Sequence, residues 1–515
     1  METLAQMLAR NVRAIGSRPF IITDKVSLTY AEFAEQTARL AHVLAARGVG
    51  KGDRVGLYLP SNALMAIGYW ACQRLGAIPA PVSAMLRHAE LRKVIAQSSM
   101  KAMIADESTW PYFSQIRDEF TFLEACLVSG SGDADDLDTL MAASPSTFED
   151  VPCEMTDLAA MFFSSGTTGV PKGIAQTQFS ITSTLRDMFV SHRNRYASET
   201  YVCAVPLFTN FGLTVTLNLC LYGGGTIVLH ERWDTQRVLE DIKKYKATYF
   251  GGTPTMYVYI VNEYDQAKHD LSSLRICTTG GSPVPQPVIQ KFEALSGARV
   301  TQVYGSTESC GQSVMEPTIG PRKRGSAGLP VGSTRIYIID DDGNEMPAGE
   351  LGEVVIGGDC IASGYWGDEE ATRETFTELG WKSGDIGYLD EDGYLFIVDR
   401  KKDLIIAGGH NVYPLEIETL LYKHPAVAMC AVVGAPDESK GEIPVAVIVK
   451  NKDDATTEAE IIQYCRENLA AYKAPRAVHF IDRMPVEAAK IRKRDLVKAL
   501  KEGTIDQYRG EAVGA

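Results

Sequence analysis

"LRICTTGG" (274–281) and "RVTQVYGSTE" (299–308) are apolar runs of strand length that end in Gly, Ser or Thr, with an amphipathic helical stretch between them. Strand, helix, strand is the unit of α/β layering. The same pattern recurs at "RVGLYLP" (54–60), "AIPAPV" (77–82), "KAMIAD" (101–106) and "ATYFGG" (247–252), so α/β layers are expected from about residue 27 to 330. Open α/β sheets bind ligands just beyond the carboxyl ends of their strands. Residues 278–281 and 304–308 are therefore expected to flank one crevice.

Outward from that unit the text changes character. Near the start, Thr29 and Glu32 form a capping box for the helix "YAEFAEQTARLAHVLAARG", which stops at glycine. After about residue 330, "TRIYIIDDDGNEMPAGELGEVVIGG" and "GYLDEDGYLFIVDR" are apolar runs joined by Asp/Gly turns, which predicts antiparallel hairpins in a β-rich subdomain. Beyond "DRKKD" (399–403) lies an α+β pattern of about a hundred residues, the size of a small domain. The expected organisation is thus an N-terminal domain over 1–401 and a C-terminal domain over 402–515.

Composition narrows the function. The 515 residues are 45% apolar and 23% charged, enough for several cores. Net charge is 51 − 65 = −14 without long like-charge blocks, which argues against nucleic acid or an anionic membrane as the main partner. The ten cysteines are scattered with no C-x-x-C pair, which suggests neither a zinc site nor a disulfide framework. The first twenty residues lack the apolar core of a signal peptide, and the apolar stretch 64–86 is broken by Gln73, Arg74 and two prolines. The expectation is a cytoplasmic protein without stable membrane insertion.

One loop demands chemistry. "FFSSGTTGVPKG" (162–173) packs glycines, hydroxyls and a lysine into a dozen positions. It is not a Walker A loop, because Pro171 precedes Lys172 and Gly173 follows it. Glycines still let backbone N–H groups approach an anion, while Ser164, Ser165, Thr167 and Thr168 add donors and Lys172 adds charge. A phosphate-handling loop of another type is the expectation.

"SSGTTGVPKG", "YGSTE", "SGDIGYLDEDGYLFIVDRKKDLIIAGGHNVYPLEIE" and "KAPRAVHFID…KIRKRDL", in this order from about residue 20 to 500, resemble the adenylate-forming enzymes, in the acyl-CoA synthetase (acid–thiol ligase) branch. The resemblance implies a large N-terminal domain of α/β and β subdomains and a small mobile C-terminal domain. It also implies two half-reactions, in which a carboxylate attacks the α-phosphate of ATP and a thiol then displaces AMP. ATP, Mg²⁺ and CoA would be the cofactors and co-substrates.

By the same resemblance, Ser164, Ser165, Gly166, Thr167, Thr168, Gly169 and Lys172 hold the β- and γ-phosphates. Tyr304 packs on adenine beside Gly305, Thr307 donates to the α-phosphate, and Glu308 is the carboxylate for Mg²⁺. Gly280 and Gly281 let adenine and the acyl group lie on the backbone, Asp385 accepts from the ribose hydroxyls, and Arg400 reaches ribose or phosphate. Lys402 is the hinge, Gly408 and Gly409 line the CoA tunnel, and Lys490 bridges carboxylate and α-phosphate as a catalytic residue with Thr307 and Glu308. The family usually places Ser/Thr-Gly before that lysine, where this chain has Ala488 and Ala489. The basic "KIRKRDLVKALK" reads first as a solvated helix face.

Substrate class is read from "PLFTNFG" (206–212), where Thr209 replaces the family's usual histidine and also the aspartate of amino-acid-activating domains. A buried α-ammonium would need a carboxylate partner, so a free amino acid is disfavoured. Phe208, Thr209, Phe211, Phe250 and Cys310 are the acyl-pocket candidates, and Val303 beside Tyr304 offers no partner for a second carboxylate. The alternatives are an enzyme loading a carrier protein's phosphopantetheine, a luciferase-like oxidase, and a non-catalytic nucleotide-binding homologue. The partners expected are a small carboxylic acid and CoA, with no nucleic acid; a homodimer stays open.

Overall fold

The computed structural model describes residues 1–132, 136–164, 171–281, 286–437, 440–451, 454–487 and 490–510, with the side chains of Ser164, Glu487 and Lys490 left out. Its centre is a nine-stranded sheet whose parallel core runs in the order Val300–Tyr304, Ile276–Gly280, Tyr249–Gly252, Thr200–Cys203, Thr226–Leu229 and Pro19–Ile22. Antiparallel strands close both edges. The strand Pro19–Ile22 shows that the α/β layers begin before residue 27, where alternation first becomes legible in the sequence.

A second, four-stranded parallel sheet holds Arg54–Leu59 between Ile78–Ser83 and Ala102–Asp106, with Ala125–Ser129 at its edge. Its strands are apolar almost throughout because both faces are covered. The helix Tyr30–Ala46 packs here, its N-terminus fixed by the Thr29–Glu32 capping box, and the chain leaves it through Gly48 at φ 81°. The helix Ala63–Leu75 and the strand Ile78–Ser83 account for the apolar stretch noted above. Among the described residues no helix is long and apolar enough to cross a membrane.

The hairpin strands Leu158–Ser164 and Lys172–Thr177 flank the Gly-rich loop, and Gly364–Tyr365 adds a third strand from beyond residue 330. The β-rich subdomain is therefore stitched to the earlier layers rather than following them. Its own sheet is antiparallel, in the order Arg335–Ile339, Gly352–Gly357, Trp381–Leu389 and Leu395–Arg400, as the Asp/Gly turns predict. Beyond the short turn Lys401–Asp403, a further mixed sheet built on Val427–Asp437 and Gly441–Lys450 carries its own apolar core, centred on Val432, Ala446, Ile448 and Ile461. All ten cysteines are free, and eight of them are buried.

Candidate active site

The carboxyl ends of Ile276–Gly280 and Val300–Tyr304 lie side by side, with Gly280 opposite Val303. Gly280 has no room for a side chain, because an added Cβ would stand 2.7 Å from Val303 Cγ2. The backbone at this lip is thus bare, and Gly281 turns away at φ 89°, a conformation that favours glycine. Gly305 is equally confined, its face pressed on the carbonyl of Gly311.

From this lip the site is assembled by three distant segments. The hydroxyl of Tyr304 donates to Asp385 Oδ2 at 2.6 Å, and Arg400 Nε stands 3.2 Å from Asp385 Oδ1. Asp385 and Arg400 face each other as register partners of one antiparallel pair. Burial, the Asp385 charge and its hydrogen bond together push the Tyr304 hydroxyl well above the usual phenol range, so it remains a donor.

Beside this group, Glu308 is buried and its carboxyl is raised above the ordinary range by loss of solvent. Tyr365 donates to it at 3.3 Å, and Trp381 Nε1 in turn lies 3.4 Å from the Tyr365 oxygen. Burial and the Glu308 charge push the Tyr365 hydroxyl up to about 12. Lys172 holds its ammonium 4.5 Å from the centre of the Tyr365 ring, at the mouth of the Gly-rich loop. One chain of contacts therefore joins Lys172, Tyr365 and Glu308.

Behind Thr307, Gln176 Nε2 donates to the Thr307 carbonyl at 2.7 Å and to Asn210 Oδ1 at 3.3 Å. Gln176 Oε1 and Asn210 Nδ2 are buried without partners among the described residues. Thr209 accepts from Gly212 N at 3.0 Å and donates to the Pro206 carbonyl at 2.7 Å, just before the π-helical run Phe211–Asn218. Such wide turns are uncommon and frequent at functional sites. Thr209 is thereby committed to backbone geometry.

Some of the residues singled out from sequence lie together here and others do not. Phe208, Thr209 and Phe211 are half-buried, and the Phe211 ring lies over Gly251, where an added Cβ would stand 3.6 Å from its Cε2. Phe250 is instead fully buried behind the sheet, its ring edge-on to Tyr257 and stacked with Phe292. Successive strand side chains point to opposite faces, so Gly251 faces Phe211 while Phe250 faces the helices. Cys310 is likewise fully buried in the main core, and burial drives its thiol far up. Both side chains are thus engaged in core packing in this structure.

Gly408 and Gly409, at φ 59° and 81°, form the exposed turn between Ile405–Ala407 and His410–Val412. Gly408 borders a hollow of about 150 Å³ with Lys440, Tyr472 and Arg476. Lys402 is exposed in its short turn. Ser165, Gly166, Thr167, Thr168, Gly169, Ala488 and Ala489 lie outside the described residues, as do the side chains of Ser164 and Lys490; the backbone of Lys490 pairs with Glu487. Sequence reasoning passed over Gln176, Tyr365 and Trp381. "SGYWGDEE" (363–370) carried a signal for Tyr365, since Gly364 sits at φ 135°, whereas Gln176 carried none.

Residues 8–366 match the family model described as AMP-binding enzyme, and residues 416–490 match that described as AMP-binding enzyme C-terminal domain. The chain belongs to the AMP-binding enzymes. A feruloyl-CoA synthase of an Amycolatopsis species is 35% identical over 463 residues, covering 89% of this chain and 91% of the relative. The crystal structure of the anthranilate CoA ligase AuaEII in complex with anthranoyl-AMP superposes with a TM-score of 0.90 at 28% identity, covering 98% of each chain. ATP-bound MatB from Rhodopseudomonas palustris gives 0.89 at 28% identity, covering 97% of this chain and 99% of its own. Within the adenylate-forming enzymes the chain stands in the acyl-CoA synthetase branch, the AMP-forming acid–thiol ligases.

Proposed function

We propose that this ligase condenses a monocarboxylic acid of apolar body with CoA through an acyl-adenylate, releasing pyrophosphate and then AMP. The observation that carries the reading is the Tyr304–Asp385–Arg400 cluster set beside buried Glu308 at the carboxyl ends of the central strands. It joins a nucleoside-sized polar grip to an unpaired anion in one crevice.

In the first step a carboxylate oxygen attacks the α-phosphorus and the bond to the bridging β-phosphate oxygen breaks. Asp385 uses two of its roughly four lone-pair sites on Tyr304 and Arg400, which leaves acceptors for ribose hydroxyls. The Thr307 hydroxyl has no partner among the described residues and is free to donate to the α-phosphate. By family resemblance, Lys172 and the loop residues 164–169 would hold the departing pyrophosphate, and Lys490 would offset the repulsion of the two meeting anions. In the second step the thiol sulfur attacks the carbonyl, AMP leaves, and Gly408 and Gly409 give room for the pantetheine arm; Lys402, between two domains over 1–401 and 402–515, serves as the pivot.

Glu308 fits a magnesium ion. Its buried carboxylate is met only by neutral donors, the Tyr365 hydroxyl at 3.3 Å, the Ser306 side chain and its own backbone, and among the described residues no group of three or more His, Cys, Asp or Glu competes to hold a metal. Magnesium is commonly held by one or two carboxylates plus substrate phosphates, where it neutralises phosphate charge. The apolar Val303 against Gly280 supports an acid with a single carboxylate.

The test is a panel of alkyl and aryl acids assayed for AMP release with and without CoA, on wild type and Lys490→Ala. Thioester from one acid class, with Lys490→Ala losing adenylation but still converting supplied acyl-adenylate, is expected. Adenylate without thioester would move the acceptor to a carrier protein, and no turnover with any acid would overturn the reading.

A further inference from the structure

On the opposite edge of the central sheet, a cavity of about 180 Å³ is lined by Arg193, Arg195, Arg275 and Arg299 with Thr301 and Thr318. Arg275 immediately precedes the strand Ile276–Gly280, and Arg299 immediately precedes Val300–Tyr304. The cavity therefore opens at the amino ends of the strands whose carboxyl ends form the active site. Five residues at roughly 3.3 Å each separate the two by about 16 Å.

Its charge is not internally balanced. Arg275 is held by buried Glu199, and neighbouring Arg322 by Glu293 at 2.7 Å. Arg299 spends only Nη1, on the Gly320 carbonyl at 2.9 Å; its Nε and Nη2 are out of contact with water and have no hydrogen-bond partner among the described residues. Burial and the adjacent Arg322 disfavour its charge, and the nearby carboxylates of Glu316 and Glu293 offset this only in part; with Glu199 they set three carboxylates against the five arginines Arg193, Arg195, Arg275, Arg299 and Arg322. Arg193 and Arg195 are exposed on the rim without carboxylate partners among the described residues. A buried guanidinium with orphaned N–H groups is costly, and an anion supplied from outside offsets that cost.

The rest of the wall is fixed. His192 is buried, bonds Gln312 Oε1 at 2.7 Å and lies 3.4 Å from the Tyr249 hydroxyl, so this side of the cavity is preformed. Guanidinium forks suit tetrahedral oxyanions, and two threonine hydroxyls add neutral donors. The volume falls below the ~300–1,000 Å³ of sites for drug-sized ligands, which favours a compact anion over a nucleotide.

We propose that this cavity is a binding site for a compact multiply charged phosphate, of the inorganic phosphate or pyrophosphate class, distinct from the catalytic crevice. Nothing in this assignment depends on which acid the enzyme activates.

The test is hydrogen–deuterium exchange on the full chain with millimolar phosphate or pyrophosphate against chloride at matched ionic strength, in wild type, Arg195→Gln and Arg299→Gln. Protection of segments 190–196 and 316–322 is expected, with roughly tenfold weaker phosphate binding in each variant, the scale of one charge-assisted hydrogen bond. Arg195 is exposed, so its variant keeps the test decisive if Arg299→Gln fails to fold. Equal protection in chloride, protection confined to the Gly-rich loop region, or no change in Arg195→Gln would overturn the proposal. Protection by anionic phospholipid vesicles but not by free phosphate would overturn the free-anion assignment.

Discussion

Replacing Asp385 with Asn keeps the shape of the nucleotide grip and removes its charge. The side chain of Asp385 is only 9% exposed, so the bond from Tyr304 at 2.6 Å is made largely out of water. A hydrogen bond to a charged group contributes about 1.5–3 kcal/mol, against about 1 for a neutral one, so Asn loses about 1 kcal/mol there. Arg400 is 55% exposed, which limits its lost ion pair to about 1 kcal/mol. A ribose hydroxyl bonded to amide rather than carboxylate loses about another 1 kcal/mol. The first two bonds already exist in the free enzyme, so their loss, about 2 kcal/mol, registers as lower stability; only the ribose bond, about 1 kcal/mol, enters kcat/KM for ATP, which should fall roughly 5-fold. AMP release at saturating acid with ATP varied reads this directly, while the urea midpoint checks that the fold survives. The reasoning fails if the KM for ATP is unchanged, or if the loss appears only in the KM for the acid.

Three further outcomes are expected. Tyr365→Phe removes one of the donors that meet Glu308, leaving the Ser306 side chain, and should weaken the magnesium dependence of AMP release several-fold while leaving the KM for CoA unchanged; an unaltered magnesium titration counts against the Lys172–Tyr365–Glu308 chain. Phe250→Ala should destabilise the protein by about 3–5 kcal/mol in urea unfolding without altering acid preference, since the ring packs on Tyr257 and Phe292 behind the sheet. A shifted acid profile in a stable variant would place Phe250 in the pocket. His192, whose pKa burial lowers from 6.5 to about 4, stays neutral when folded. The unfolded chain binds its proton first, so this contribution is fully present above pH 6.5 and lost as pH falls toward 4, in total about 3 kcal/mol. His192→Gln should flatten that slope, and an identical pH profile would refute the assignment.

Much of the fold was legible because its signals are local. Strands such as Arg54–Leu59 and Ile276–Gly280 are short apolar runs bounded by turn residues, and the Thr29–Glu32 cap needs only three residues of spacing. Other features were illegible for equally physical reasons. Gly364–Tyr365 is too short to show a period, yet it carries the hydroxyl that meets Glu308. Alternation along Tyr249–Gly252 says that Phe250 and Gly251 face opposite ways, but not which face meets the crevice.

Residue types and motifs alone were enough for the reaction family and for the two strand ends that form the lip. These follow from residue type and short-range spacing. Only the tertiary structure decided that Tyr304 meets Asp385 across 81 positions, that Lys172 covers the ring of Tyr365, and that four arginines from three segments surround one cavity. Those contacts depend on how sheets stack and which edges adjoin. That information is spread over the whole chain, because burial of every core at once selects it.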